Sequence, residues 1–319
     1  MRLMLIFSIV LTGVKFFAYL ITRSNAILSD ALESIINVIA GSFALYSIHY
    51  AAKPKDEDHP YGHGKIEYLS AGFEGGLILI TGFAIIGKAI YNFFHPQPIE
   101  NISMGVYLSA FSGLCNYFMG MFLIKKGKKY HSVLMNADGK HLIADTISSG
   151  ALIIGLLIIH LTGFLWFDNV LAILLGLFIL LTGYNITKQS IMGLLDEADN
   201  ETIGIMIYIL NQNRQIKWID MHNLRVLKYG SYLHVDCHIT LPWYLSLEEA
   251  HTEVTAVEDL LNKNLEGRVE FFIHADPCLP GSCPICMIED CKVRQSPFVK
   301  KLEWNTVNLL PDKKHSILT

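Results

Sequence analysis

A chain of 319 residues that is 52% hydrophobic and only 17% charged is too apolar for an ordinary soluble domain, and its mean hydropathy of +0.37 agrees. A formal net charge of −4 without any basic patch excludes nucleic acid as a partner. The lack of a G-x-x-x-x-G-K-[ST] motif gives no reason to expect ATP.

A bilayer core takes ~20 mostly apolar residues per helix. Six runs qualify, in chain order Leu3–Thr22, Ala26–Ala51, Tyr68–Phe93, Ser103–Ile124, His141–Leu161 and Leu165–Thr187. The first follows Arg2 as a signal peptide would, but it has no small-residue cleavage site, contains Lys15 and runs almost directly into the next span. It reads as a retained helix. Lys53, Lys55 and Lys65 follow the second run and Lys125, Lys126, Lys128 and Lys129 the fourth. The alternate connections carry only Arg23, so the positive-inside bias puts both termini in the cytosol. The expected lodging is the lipid bilayer of a bacterial inner membrane.

Charge concentrates after about Asp199. Ile203–Leu210 has helical spacing, Trp218–Lys228 and Tyr232–Leu241 alternate as strands, and Tyr229-Gly230-Ser231 fits the turn between them. Leu247–Asn262 is a second helix opened by a Ser246/Glu249 capping box, and Val269–His274 a last strand. The order α-β-β-α-β predicts a small α+β domain. Three parts result: a six-helix transmembrane domain over 1–192, a cytosolic α+β domain over 199–277, and a Cys-rich segment with a flexible tail over 278–319.

Two stretches share one design. Asp30, Glu33 and Asn37, and again Asp138, His141 and Asp145, stand at i, i+3 and i+7, one face of a helix, within or beside apolar runs. Ionisable groups in hydrocarbon normally face a bundle interior and mark an ion or proton path. Glu33, Asn37, His141 and Asp145 offer three oxygens and one nitrogen, enough for a four-coordinate dication. Asp30 and Asp138 read as accessory polar residues. In the connection Asp56–Gly64, His59 and His63 lie four apart behind carboxylates, with Pro60 and Gly62 permitting a turn. In the C-terminal domain Asp236, His251, His274 and Asp276 form a third set, and His234 and His238 share a strand face with Asp236. Cys278, Cys283, Cys286 and Cys291, spaced C-x4-C-x2-C-x4-C in a reducing compartment, read as a thiolate metal site. Zn2+ is the default occupant and an iron–sulfur cluster the variant.

The helices D-x-x-[E/H]-x-x-x-[N/D], the motif His59–Glu67 (H-P-Y-G-H-G-K-I-E) and the ending Ile273–Cys278 (I-H-A-D-P-C) resemble the cation diffusion facilitator family over about Leu3 to Cys278. The resemblance implies a homodimeric metal/proton antiporter, a secondary transporter rather than an enzyme. It would export Zn2+ or a similar dication through Glu33, Asn37, His141 and Asp145. It implies a loop metal at Asp56, His59 and His63, and a further metal at Asp236, His251, His274 and Asp276 in a ferredoxin-like, metallochaperone-like domain. It also implies a charge interlock of Lys65 and Asp196 between protomers. The chain departs from the family at Glu33, where His or Asp is usual, and at Asn37, where Asp is usual. Asn keeps a carbonyl oxygen but carries no proton, and the oxygen-rich set admits Fe2+, Mn2+ or Co2+ as alternatives.

Blander readings fit the rest. Gly72, Gly75, Gly76, Gly82 and Gly87 allow close helix packing. Cys115 and Cys237 are buried packing residues, Lys15 either snorkels or pairs inside the bundle, and His160 is interfacial. An intramembrane metalloprotease would show H-E-x-x-H, which is absent. A metal sensor without transport would not need charged ligands at mid-membrane.

Overall fold

The computed structural model describes residues 2–22, 25–95, 102–162, 166–230, 232–265 and 269–316, and the chain divides into two compact units, Met1–Leu195 and Asp196–Thr319.

Among the described residues, the first unit holds six long helices: α1 (Arg2–Thr22), α2 (Asn25–Ala51), α3 (Ile66–Phe94), α4 (Ile102–Tyr130), α5 (Val133–Thr162) and α6 (Trp166–Leu194). They run from 21 to 30 residues, or roughly 31–45 Å at ~1.5 Å per residue. Among the described residues, Ile66–Phe94 and Ala172–Leu194 are long and apolar enough to cross a membrane by length and composition. The burial is inverted relative to a soluble protein. On α3 the apolar Ile80 and Phe83 are 64% and 65% exposed, while Glu67, Ser70 and Glu74 are buried.

The most extensive packing joins α3 to α6 and α4 to α5, and small residues set it. A Cβ on Gly75 would meet the Thr187 backbone nitrogen at 2.9 Å, and one on Gly82 would meet Leu180 Cδ2 at 2.8 Å. Gly72 stands against Ser190, whose hydroxyl donates to the Tyr68 carbonyl. Gly120 and Gly139 pack backbone to backbone across α4 and α5. Of the five α3 glycines expected to pack, Gly76 and Gly87 have nothing within 4 Å of the added Cβ. Cys115 is only half-buried, short of the buried packing role expected of it.

The second unit follows the expected order: α7 (Asn200–Gln212), β1 (Asp220–Tyr229), β2 (Tyr232–Leu241), α8 (Leu247–Asn264) and β3 (Val269–Pro277). Then come a 3-10 turn (Pro280–Ile285) and α9 (Thr306–Leu309). The sheet runs β1-β2-β3, antiparallel then parallel. Gly230, at φ +65°, makes the hairpin turn. The Ser246 hydroxyl accepts from the Glu249 N–H at 3.3 Å while Glu249 Oε2 accepts from the Ser246 N–H at 2.8 Å, closing the capping box. Val235, Cys237 and Ile239 of β2 form one core with Ile203 and Leu210 of α7 and Val257 and Leu261 of α8.

The segment read as a flexible tail belongs to that core. Trp304 is 2% exposed, and Leu309 is fully buried. Arg214 lays its guanidinium over the Trp304 ring at 3.9 Å, and its Nη1 donates to the Leu302 carbonyl at 2.5 Å. The Asn223 N–H donates to the Pro311 carbonyl at 2.9 Å. An indole and two leucines at the end of a polar stretch bury enough apolar surface to order it.

Neighbouring glycines on α3 should part company on substitution. Gly75→Ala forces α3 and α6 apart, and overpacking of this kind costs about 1–3 kcal/mol. Gly76→Ala meets open space and gains helix propensity, up to about 1 kcal/mol. Thermal unfolding of the two variants in detergent should show a lowered Tm for the first and an unchanged or raised Tm for the second. Equal shifts would contradict the packing.

Candidate functional site

The four residues expected at the transport site lie on α2 and α5. Glu33 and Asp30 are on α2 with side chains outside the described set, as is that of His160 on α5. The other three meet across the helix pair. His141 Nε2 lies 3.0 Å from Asn37 Oδ1, Asn37 Nδ2 lies 3.4 Å from Asp145 Oδ2, and His141 Nδ1 lies 3.7 Å from Asp145 Oδ1. An amide oxygen can only accept, so Nε2–H donates to Asn37 and the lone pair stays on Nδ1. Nδ1 is buried with no hydrogen-bond partner. Its 3.7 Å separation from the carboxylate oxygen is close to the ~3.4 Å edge of a tetrahedron with ~2.1 Å metal–ligand bonds.

Asn37 therefore bridges the two ionisable residues with both ends of its amide. Beside it a cavity of about 10 Å3 is lined by Lys15, Ser34 and Asn116 among others, and Lys15 Nζ donates to Ser34 Oγ at 2.9 Å. Lys15 pairs inside the bundle.

Next to this cluster stands a residue that the reading of the sequence passed over. Glu74 of α3, 3% exposed, shares a hydrogen bond with Asp138 of α5, 1% exposed. Its signal was available: one carboxylate inside the apolar run Tyr68–Phe93. A second pair, Ser132 Oγ donating to Glu67 Oε2 at 2.5 Å, is also buried.

In the connection between α2 and α3, Asp56, His59 and His63 come together with ligand atoms within 4.8 Å of one another. Asp56 Oδ1 accepts from the His59 N–H at 2.7 Å, and Asp56 Oδ2 lies 3.2 Å from His63 Nε2. Gly62, at φ +90°, supplies the turn that folds His63 back. The hydrogen bond to the His59 side chain holds the Asp56 carboxyl below its ordinary range. Lys65 stands at the N-cap position of α3 without a capping side-chain hydrogen bond, and Asp196 lies in the turn after α6 at φ +59°.

In the second unit the sheet gathers a different set from the one expected. His222, His238 and His274 stand in one cross-strand row over β1, β2 and β3. His222 Nε2 and His238 Nδ1 each lie 3.4 Å from Asp276 Oδ2, and His274 Nε2 lies 3.7 Å from Asp276 Oδ1. His222, His238 and Asp276 hold ligand atoms within 4.8 Å of one another. Asp236 pairs with Arg225 and Phe272 in the ladder, His251 is exposed on α8, and neither joins the row. His234 is buried beside Glu270, with Nδ1 2.8 Å from Oε2. Burial holds the His222 imidazole below its ordinary value. From the chain's end, Lys314 Nζ reaches Asp276 Oδ1 at 3.2 Å and His315 Nδ1 reaches Asp220 Oδ1 at 2.7 Å.

Cys278, Cys283, Cys286 and Cys291, all reduced, line a single cavity of about 110 Å3.

Comparison with known proteins agrees with this arrangement of two units. Residues 1–195 match the cation efflux transmembrane domain and residues 199–278 the cytoplasmic domain of cation efflux proteins. An uncharacterised transporter of Synechocystis sp. is 29% identical over 257 residues, covering 80% of this chain and 82% of its own. The cation-efflux pump FieF of Shewanella oneidensis is 27% identical over 271 residues, 85% of this chain and 90% of its own. FieF of Salmonella typhi is 26% identical over 275 residues, 83% and 87% respectively. With the transmembrane match spanning more than half of the chain, the protein is an integral membrane protein of the cation diffusion facilitator family.

Proposed function

We propose that this protein exports a divalent cation, Zn2+ foremost with Fe2+, Mn2+ and Co2+ as alternatives, from the cytosol in exchange for protons. The observation that carries the reading is the cluster of Asn37, His141 and Asp145 across α2 and α5. Glu33, one turn from Asn37, completes the ligand set. The cation is substrate and passes through.

The coupling follows from competition for lone pairs. Metal needs ionised carboxylates and a neutral imidazole, so bound metal and bound protons exclude each other. With Glu33 and Asp145 ionised the site carries formal charge −2, which balances one dication. Protons taken up from the far side empty the site of metal and allow its return. Six membrane spans, cytosolic termini and alternating access by rocking of helix pairs complete the scheme. A homodimer joined through the cytoplasmic domains, with Lys65 and Asp196 interlocked beneath the membrane, is its working unit. The loop set at Asp56, His59 and His63 and the strand row at Asp276 bind dications as regulatory ligands.

Metal uptake into inverted vesicles, with and without a pH gradient, tests the whole reading. His141→Ala and Asp145→Ala should each lower uptake to background while the purified protein elutes and melts as the wild type does. Wild-type rates in either variant would remove the site.

Asn37→Asp adds a third carboxylate and takes the empty site from formal −2 to −3. A dication then meets a stronger field, while protons gain one more group to occupy. Apparent affinity for the ion should tighten at alkaline pH, with the gain shrinking as pH falls. An identical affinity and pH slope in both proteins would place Asn37 outside the ligand set.

The strand row makes a separate claim. In an Asp145→Ala background, equilibrium dialysis against Zn2+ should find about one ion fewer bound after His222→Ala. Asp236→Ala should leave the count unchanged. A loss from Asp236→Ala alone would transfer the site to the expected set.

A further inference from the structure

The four cysteines after β3 have no part in the transport scheme, yet they are the residues around which this segment is built. Cys278 is tied to the sheet, its N–H donating to the Leu241 carbonyl at 2.8 Å. Cys283 and Cys286 bracket the end of the 3-10 turn, and Cys291 lines the same cavity. Ile285, fully buried, and Cys286, 6% exposed, anchor the turn against Ile219 in a small apolar cluster of their own.

One of the four sulfurs already receives a backbone N–H group. The Gln295 N–H points at Cys283 Sγ with 3.5 Å between nitrogen and sulfur. Backbone donors aimed at sulfur stabilise the thiolate and have little to offer a thiol. Cys237, by contrast, is a packing residue, 2% exposed in the apolar core of the domain.

Arg294 holds the loop in shape. Its Nη1 donates to the Cys283 carbonyl at 2.9 Å, and its Nη2 to the carbonyls of Cys286 at 3.0 Å and Ile288 at 2.6 Å. With Nη1 also donating to the Ser296 carbonyl at 3.4 Å, a guanidinium committed to four carbonyls fixes the backbone that carries the two central cysteines.

We infer that Cys278, Cys283, Cys286 and Cys291 form a four-thiolate site for one thiophilic dication of the Zn2+ class, resident in the protein and separate from the transported ion. No three of the sulfurs lie mutually within 4.8 Å. A tetrahedral ion with bonds of ~2.3 Å sets its sulfurs about 3.8 Å apart. Loading therefore draws the loop in around the ion. Binding releases the thiol protons and changes no oxidation state.

The experiment uses the full-length protein purified in detergent and does not depend on transport. After gel filtration past a chelating resin, wild-type protein should retain about one more Zn2+ per chain than a variant with all four cysteines changed to serine. In the loaded protein the four thiols should resist a thiol reagent until a strong chelator is added. Co2+ loading of the wild type reads the site without any variant, because sulfur ligation gives a thiolate-to-cobalt charge-transfer band that histidine and carboxylate sites lack. Equal zinc retention in the two proteins, freely reactive thiols in the loaded protein, or no such band would each overturn the assignment. Stoichiometric acid-labile sulfide would overturn it in favour of a cluster.

Discussion

A polar side chain in an apolar helix bundle has to find its partner on a neighbouring helix, and the first unit is arranged around that requirement. The partners can meet only if the helices approach closely, and on α5 the residue that permits the approach is Gly139, packed on Gly120 of α4. At ~100° per residue, Asp138, His141 and Asp145 fall within about 60° of one another and roughly 100–160° away from the Gly139 direction. One face of α5 is therefore given to backbone contact with α4. The opposite face carries the groups that reach Asn37 on α2 and Glu74 on α3. The glycine contacts of α3 with α6 do the same for Glu74. Helix packing by small residues and placement of the polar cluster are thus one design seen from two sides.

What was legible in the sequence is what depends on neighbours along the chain. Six apolar runs gave six helices, the Ser246/Glu249 pair gave a closed capping box, and the spacing of His141 and Asp145 gave adjacent groups on one helix face. What escaped depends on register between strands or on a late return of the chain. Alternation places Asp236 and His238 on one face of β2, but it cannot show that His222 stands opposite His238. The register shift between His222 and Arg225, with Asn223 at φ +55°, breaks the alternation of β1 just there. The end of the chain was misjudged for a related reason. Its polarity was plain, but Trp304 and Leu309 count only once the surface of α7 and β1 that receives them is known.

On the proposed reading, the sites differ in ligand chemistry in the way their tasks demand. The cluster on α2 and α5 is made of oxygens and one imidazole, in which Asn37 contributes a dipole where a carboxylate would bind more firmly. A transported ion has to leave, and a site of modest charge helps it do so. The cysteine cavity is lined by four sulfurs, one of them receiving a backbone N–H group, and on our inference it retains its ion.

The strand row lies between these extremes, and its charge state is governed from a distance in sequence. Asp276 is the only carboxylate of the His222, His238 and Asp276 triad, and Lys314 approaches one of its oxygens while the two histidines approach the other. As it stands the triad is neutralised by an ammonium carried on the same chain. A dication arriving there competes with a tethered cation, whose effective concentration is high because Trp304 and Leu309 hold its segment against the domain. If the row binds a dication as proposed, its occupancy and the seating of Lys314 on Asp276 are opposed, since both use the same carboxylate. On the proposed reading, the segment expected to be a flexible tail would set the threshold at which the row takes an ion.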